Sequence, residues 1–162
     1  MDFDDLVEAV AAPEKRAGKV ADGIEHKMHE GAVMVAYAMH LLRTTEADQV
    51  RIHPDGEHGK RFDFVGWLAR RGFEKVTATG TTRYGGEYRH PDGWRITIHP
   101  SSGKGDVVAE IGNHVISVEC KGGIINTRHS GDRVPLRGVT EAGPPRISGL
   151  AGLVSVRGLP AG

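Results

Sequence analysis

The chain contains a single cysteine, no long hydrophobic run and no excess of charge of either sign. The lone thiol, Cys120, has no second cysteine with which to form an internal disulfide. Because no run of about 18 apolar residues occurs, the sequence predicts no transmembrane helix. Its 21 basic residues are balanced by 21 acidic ones, so it lacks the global positive field of many nonspecific nucleic-acid binders.

The amino terminus lacks the basic segment that opens a secretory signal peptide. Met1 is followed by Asp2, Phe3, Asp4 and Asp5, an acidic stretch where a signal peptide would be positively charged. Together with the missing disulfide, this predicts a cytoplasmic protein with no membrane partner. The 162 residues, 38% of them hydrophobic, suffice for one domain with a substantial core.

The spacing of apolar residues predicts an α/β domain, with a sheet flanked by helices. Residues 1–12 have a short amphipathic helical pattern that Pro13 ends, and a longer helix is predicted from an N-cap at Asp22 to about Arg43. Another helix is expected from Arg61 to Arg71. The expected strands are Phe73–Thr77, Glu87–His90, Trp94–His99, Asp106–Ile111 and His114–Lys121.

This pattern divides the chain into three segments. They are a helical N-terminal extension (1–50), an α/β core (51–129) and an irregular tail (130–162). Of the 33 tail residues, seven are glycine, four proline and three serine, a composition typical of poorly ordered segments. Such a tail would leave the sheet incompletely covered, so a truncated or inactive copy of an enzyme is one hypothesis for this chain.

Ionic side chains cluster on the last two predicted strands. Gly112-Asn113 is a favoured hairpin loop, and an antiparallel pair around it brings Asp106, at the open end, close to Glu119 and Lys121. Since side chains alternate along a strand, Glu119 and Lys121 share one face while Cys120 points to the apolar face. The sequence therefore predicts two carboxylates and an ammonium group at one end of the hairpin, beside a buried packing thiol.

Paired carboxylates of this kind are typical of a metal site. They repel one another unless a divalent cation lies between them, and oxygen ligands suit Mg²⁺ or Mn²⁺. Mg²⁺ keeps several waters and takes only one or two protein carboxylates together with phosphate oxygens. Asp106 and Glu119 are therefore predicted to bind Mg²⁺, with Mn²⁺ as the alternative, and Lys121 to orient or help deprotonate the attacking water.

Asp106, the next twelve residues and Glu119-Cys120-Lys121 resemble the Asp…(Asp/Glu)-x-Lys signature of the PD-(D/E)xK nuclease superfamily, and are similar in particular to Holliday junction resolvases. The resemblance implies a restriction-endonuclease-like fold and Mg²⁺-dependent endonuclease activity on DNA phosphodiester bonds. In that family Asp106 and Glu119 would be metal ligands and Lys121 the catalytic lysine. Gly105 stands where the motif usually has proline. A homodimer is compatible with the resemblance.

The resemblance also implies a further acidic residue on the first core helix. Glu30 and Asp63 are both candidates, and the Gly-Phe and strand that follow the helix of Asp63 make it the slightly better match. Glu110, on the same strand face as Asp106, is a third residue that would assist the site. The nearby basic residues expected to contact the DNA backbone are Lys104, Arg128, Arg133 and Arg137.

Other interpretations of these residues stay open. If its ionic side chains are merely solvated, the hairpin is an ordinary amphipathic one and the chain is a noncatalytic nucleic-acid or protein interaction module. His26 and Glu30, one helical turn apart, would instead indicate a histidine-based Zn²⁺ enzyme, although no third ligand is specified. Two Pro-Asp dipeptides, ending at Asp55 and Asp92, are interpreted as turns and not as the metal aspartate.

Overall fold

The computed structural model describes residues 3–20, 22–101, 105–125 and 154–160, with side chains up to residue 124. Within these ranges, a 3₁₀ turn at Asp4–Leu6 precedes four helices and ten strands. The helices are α1 (Glu14–Ala17), α2 (Glu30–Thr44), α3 (Gly56–Arg61) and α4 (Phe64–Arg70). The strands are β1 (Glu8–Ala11), β2 (Ile24–Met28), β3 (Gln49–Ile52), β4 (Glu74–Ala78), β5 (Gly86–Arg89), β6 (Arg95–Ile98), β7 (Val107–Ile111), β8 (His114–Cys120), β9 (Gly123–Ile125) and β10 (Val154–Pro160).

The described strands form two sheets. β1, β2 and β9 make a small antiparallel sheet with β2 in the middle. The other seven strands make a mixed sheet in the order β10-β8-β7-β3-β6-β5-β4. In it β3 and β6 run parallel, whereas the other described pairs are antiparallel. A mixed sheet flanked by helices confirms the predicted α/β class.

Helix α2 occupies the centre of the core. All twelve residues from Gly31 to Leu42 are buried, and the helix packs on β3, β7 and β8. A helix that is apolar on every side is stable when other elements surround it, and each large apolar side chain buried in this way contributes about 1.5–3 kcal/mol. The helix that the sequence analysis assigned to an N-terminal extension therefore shares one core with the sheet.

Two N-terminal segments predicted as helical are strands. β1 pairs with β2 antiparallel, from Glu8 opposite Lys27 to Ala11 opposite Ile24. Asp22, the predicted helix N-cap, precedes β2, where its carboxylate accepts a hydrogen bond from the N–H of Ile24 at 3.3 Å. The long helix starts seven residues later than predicted, with His29 as its N-cap and Glu30 as its first residue. Pairing between distant segments decided the structure here, because periodicity over so few residues is a weak signal.

The helix predicted from Arg61 to Arg71 is confirmed as α4, Phe64–Arg70, and a further helix, α3, precedes it. Each of these two helices begins at an aspartate N-cap. Asp55 accepts hydrogen bonds from the N–H groups of Glu57 and His58, each at 3.0 Å, and Asp63 accepts one from Gly66 at 3.0 Å. Such caps typically stabilise a helix by about 1 kcal/mol. Asp55 thus starts a helix, where the sequence analysis expected only a turn.

The five predicted strands of the sheet are confirmed as β4 to β8, each within one residue of its predicted ends. Gly112-Asn113 joins β7 to β8, with Ile111 opposite His114. Asp92 lies in the turn between β5 and β6, where the N–H of His90 donates to the carbonyl of Trp94 at 2.9 Å. Alternating side chains and turn residues were sufficient to locate this part of the fold.

Part of the predicted tail is also a strand. Residues 154–160 form β10, which pairs with β8 from Val154 opposite Cys120 to Pro160 opposite His114. The prediction of an irregular tail is wrong for these residues. Residues 126–153 lie outside the described part of the chain. So do the four basic residues expected to contact the DNA backbone, Lys104, Arg128, Arg133 and Arg137.

Within the described residues, no helix has the length and apolar character needed to cross a membrane.

Candidate active site

Asp106 lies between β3 and β8, one residue before β7 begins. Its N–H donates to the carbonyl of Val118 at 2.8 Å, and its carbonyl accepts from the N–H of His53 at 2.8 Å. One carboxylate oxygen, Oδ2, accepts from the N–H of Cys120 at 2.7 Å. These bonds fix the carboxylate at the end of the sheet and leave Oδ1 with no hydrogen bond to a described residue.

The backbone conformation of Gly105 explains why this position does not hold the proline that the motif usually has. Its φ is +139°, a value that proline, restricted to about −65°, cannot adopt. A Cβ at this position would also overlap the hydroxyl of Ser117. The backbone before Asp106 therefore requires glycine, and the departure from the motif leaves Asp106 in place.

Glu119 and Lys121 stand at the end of β8, beside Asp106. Val107 is paired with Val118, so Asp106 and Glu119 occupy neighbouring positions on adjacent strands. Glu119 and Lys121 are exposed while Cys120 is buried, which is the alternation that the sequence predicted. Among the described residues, the carboxylate of Glu119 forms no ion pair. The open end of the hairpin thus places Asp106 and Glu119 at neighbouring positions of the two strands.

The ammonium group of Lys121 points toward the start of α2. Its Nζ lies 3.6 Å from Oε2 of Glu30, and the other oxygen of Glu30 lies 2.9 Å from Nε2 of His58. The side chain of Glu30 is 13% exposed, against 71% for Lys121. Because water screens a shielded charge less than an exposed one, Glu30 can restrain the lysine more than a surface carboxylate would.

His58 was not identified from the sequence. It lies in α3, and its Nε2 is also 3.5 Å from the carboxylate of Asp55. An acidic residue three positions before a histidine is a local signal for this second contact. The contact with Glu30 depends on how α3 packs on α2, which the sequence does not reveal.

Two of the candidate acidic residues have other partners. Asp63 is the N-cap of α4. Glu110 lies four residues beyond Asp106, about 13 Å along an extended strand, and pairs with Arg51 at 3.2 Å. Of the three acidic residues considered for an assisting role, Glu30 is the one that contacts Lys121, although the sequence slightly favoured Asp63.

The thiol of Cys120 is packed in the hydrophobic core at the end of β8. The residue is fully buried, and this burial raises the pKa of the thiol well above its usual value. The charges of Asp106, Glu30 and Glu119 raise the pKa further, whereas Lys121 lowers it. A buried, protonated thiol packs and does not act as a nucleophile, as the sequence predicted.

We expect Cys120 to resist alkylation while the protein is folded. Since the reactive form is the thiolate and this thiol is both enclosed and protonated, iodoacetamide should modify it on the order of 100-fold more slowly than in the denatured chain. Mass spectrometry over a time course, with and without guanidinium chloride, measures the ratio. Rapid modification of the folded protein would show that Cys120 is not packed against the core.

His53 and His99 extend the same end of the sheet. They follow the parallel strands β3 and β6, and their rings stack with centroids 5.5 Å apart and planes 15° apart. Burial lowers the pKa of His53, although a hydrogen bond to the Ser101 carbonyl and the charge of Asp106 act in the opposite direction. His53 therefore favours an uncharged ring near neutral pH, and does not add a permanent cation beside Asp106.

The connection from β8 to β9 lies directly against the start of α2. A Cβ at Gly122 would be 2.5 Å from the backbone nitrogen of Glu30 and 2.8 Å from the carbonyl oxygen of Met28. Both are backbone atoms, so no side-chain rotation relieves the overlap. Gly122 thus allows the strand that carries Lys121 to approach the helix that carries Glu30.

Replacing Gly122 by alanine should lower the free energy of unfolding by about 1–3 kcal/mol, because the added methyl group forces the backbone apart. It should also slow any reaction that needs Lys121 near Glu30. Gly18→Ala is the matched control, since a Cβ added at Gly18 would meet no atom within 4 Å. Urea denaturation measures both variants, and equal stability of the two would contradict the close approach at Gly122.

The available donors suit a hard divalent cation. Asp106 and Glu119, at neighbouring register positions, both carry carboxylate oxygens, and Mg²⁺ needs few protein ligands because it retains water. Among the described residues, no three His, Cys, Asp or Glu side chains are grouped so as to hold a metal by themselves. His26 lies on β2 and Glu30 on α2, so the helical spacing assumed for a histidine site is wrong. The residues fit a two-carboxylate magnesium site better than a zinc site with three or four protein ligands.

No protein-family model, no curated protein and no solved structure matches this chain. Its function is therefore inferred from the residues of the site and their geometry.

Proposed function

We propose that the chain is a metal-dependent endonuclease of the PD-(D/E)xK type, with a restriction-endonuclease-like core, that hydrolyses DNA phosphodiester bonds. The pairing of β7 with β8 is the observation that carries this proposal. It sets Asp106 beside Glu119 and places Lys121 two residues further along. Helix α2, packed on the same strands, adds Glu30 in the assisting acidic role that the resemblance implies.

Asp106 and Glu119 would hold Mg²⁺ or Mn²⁺, which when bound polarises the phosphate and lowers the pKa of a bound water. The N–H of Cys120 orients the Asp106 carboxylate through Oδ2 and leaves Oδ1 for the ion. Backbone hydrogen bonds to the two neighbouring strands fix the position of Asp106 without a bound metal. The exposed side chain of Glu119 is able to adjust to the ion and the substrate.

Lys121 would position the attacking water and balance charge on the phosphate. An ammonium group has three donors and no acceptor, so it can contact the water and a phosphate oxygen together. Glu30 restrains Lys121, and His58 in turn restrains Glu30. Fixing the direction of a long side chain in advance reduces the entropy lost on reaching the reactive geometry.

The balanced net charge of the chain is compatible with this proposal. Phosphate contacts are local, and a bound divalent cation is often the largest charge in its site. Positive charge is therefore needed where the scissile phosphate lies, and a cationic surface over the whole protein is not required.

Incubation with plasmid, duplex, single-stranded and branched DNA tests the function. Cleavage should require Mg²⁺ or Mn²⁺, stop with EDTA, and be lost in Asp106→Asn and Lys121→Gln. The same ions should raise the melting temperature of the native chain and not that of Asp106→Asn, because a ligand that binds only the folded state stabilises it. Cleavage that survives EDTA would contradict the proposal. DNA binding without cleavage and without metal-linked stabilisation would favour a noncatalytic binding module.

A further inference from the structure

A cleft of about 410 Å³ opens beside Lys121, between the small sheet, α2 and α3. Its walls include Glu30 and His58, which are the groups that restrain Lys121, together with Gly122 at the end of the site strand. The cleft thus adjoins Lys121 through Glu30 and Gly122, whereas Asp106 and Glu119 do not line it. Its volume falls within the range of about 300–1,000 Å³ that pockets for single small ligands occupy.

Two cationic side chains line this cleft without a carboxylate partner among the described residues. They are Lys27, on β2, and Arg61, at the end of α3. The other ionic groups in the walls are already engaged, His29 with Glu8 at 2.7 Å and His58 with Glu30 at 2.9 Å. The two cations are therefore available for an anionic ligand, and an arginine suits phosphate in particular because its donors form a planar fork.

Apart from the carboxylate of Glu30, the other side chains in the walls offer imidazole rings or apolar groups. Ile124 contributes aliphatic surface and is one of the few large hydrophobic residues that are exposed in the described chain, at 43%, whereas Met28 is buried. Protein sites for unpaired nucleotides combine positive charge along the backbone with ring or apolar surface for the base. The side chains of His29 and His58 supply rings of that kind.

We infer that this cleft receives one unpaired nucleotide of the DNA strand that is cut, with Lys27 and Arg61 on its phosphate and Ile124 against its base or sugar. The inference rests on the proposed nuclease function and narrows its substrate. A cleft with the volume of one small ligand does not admit a base pair with its two backbones. The preferred substrate is therefore DNA with a single-stranded segment next to the scissile phosphate, such as a flap or an overhang.

Binding to two labelled probes, a blunt duplex and the same duplex with a single-stranded extension, tests this inference by fluorescence anisotropy. All cleft substitutions are made in the Asp106→Asn protein, because this change keeps every cationic side chain and prevents cleavage of the probes. This protein should bind the extended probe about tenfold more tightly than the blunt one. Adding Lys27→Glu and Arg61→Glu should abolish that preference and reduce the slope of log affinity against log salt by about 0.7 for each lost phosphate contact.

Lys19→Glu with Arg70→Glu is the matched control, since both residues are exposed and neither lines the cleft. The control pair should retain the preference for the extended probe. If the charge reversals in the cleft impair folding, Lys27→Gln with Arg61→Gln should still reduce the preference. Two results would overturn the inference: equal binding of both probes by Asp106→Asn, or equal effects of the substitution pair in the cleft and the control pair. Metal-dependent cleavage would be unaffected by either result. Failure to bind either probe would reject the proposed function as well.

Discussion

Asp106→Asn is expected to reduce metal-dependent DNA cleavage at least about 100- to 1,000-fold, the loss typical when one group that stabilises transition-state charge is removed. The substitution removes the negative charge that the divalent cation needs. It keeps a side-chain oxygen that can still accept the hydrogen bond from the N–H of Cys120. Single-turnover cleavage in Mg²⁺ measures the rate, and thermal denaturation with and without Mg²⁺ measures metal binding separately.

Asp106→Ala serves as the structural comparison for this prediction. Alanine leaves the partly buried N–H of Cys120 without its acceptor, which costs about 1–3 kcal/mol, so this variant should lose stability as well as activity. Asp106→Asn should lose activity alone. If Asp106→Asn cleaves DNA at the native rate, Asp106 is not a metal ligand and the observed hydrogen bond is its whole role.

The hairpin that carries the site could be predicted because its information is local. A Gly-Asn loop fixes the turn, and alternation along each strand sets which side chains share a face. Asp106 and Glu119 therefore fall opposite one another whatever the rest of the chain does. The same local rules located β4, β5 and β6, which turn residues separate.

The N-terminal strands could not be predicted because their partners are distant. β2 lies between β1 and β9, and β9 follows about a hundred residues later. Glu25 falls within the predicted helix that starts at Asp22, yet it is buried on β2, where Arg16 neutralises it with a contact of 2.8 Å. A buried carboxylate is stable only with such a partner, and the sequence does not indicate which arginine supplies it.

The assisting acidic residue illustrates the same limit within the site. Asp63 was slightly favoured because the helix, Gly-Phe and strand around it follow the order expected for the family. Its carboxylate is occupied by the cap of α4. Glu30 reaches Lys121 because Gly122 lets the end of β8 approach the first turn of α2. That close approach arises only in the folded core, and no local sequence pattern predicts it.

Lys121→Gln is expected to lower the cleavage rate constant by about 100- to 10,000-fold, the range typical for loss of a group that orients or deprotonates the attacking water. The substrate concentration for half-maximal rate should change much less, since Asp106, Glu119 and the metal remain. Stability should be nearly unchanged, because the lysine side chain is 71% exposed and its contact with Glu30 is 3.6 Å. Single-turnover rates measured over a range of DNA concentrations separate the two effects.

Lys121→Arg and Glu30→Gln show whether the position of the ammonium group matters beyond its charge. Arginine keeps the charge, but its planar guanidinium is not interchangeable with a compact ammonium, so DNA binding should be retained while the cleavage rate stays low. Glu30→Gln removes the charge that restrains Lys121 and should lower the rate without abolishing the rise in melting temperature with Mg²⁺. If the melting temperature of Lys121→Gln, like that of Asp106→Asn, did not rise with Mg²⁺, Lys121 would act in metal binding and not on the water. If Lys121→Arg restored the full rate, charge alone would be sufficient, and the contacts from His58 through Glu30 would serve the packing of α3 on α2.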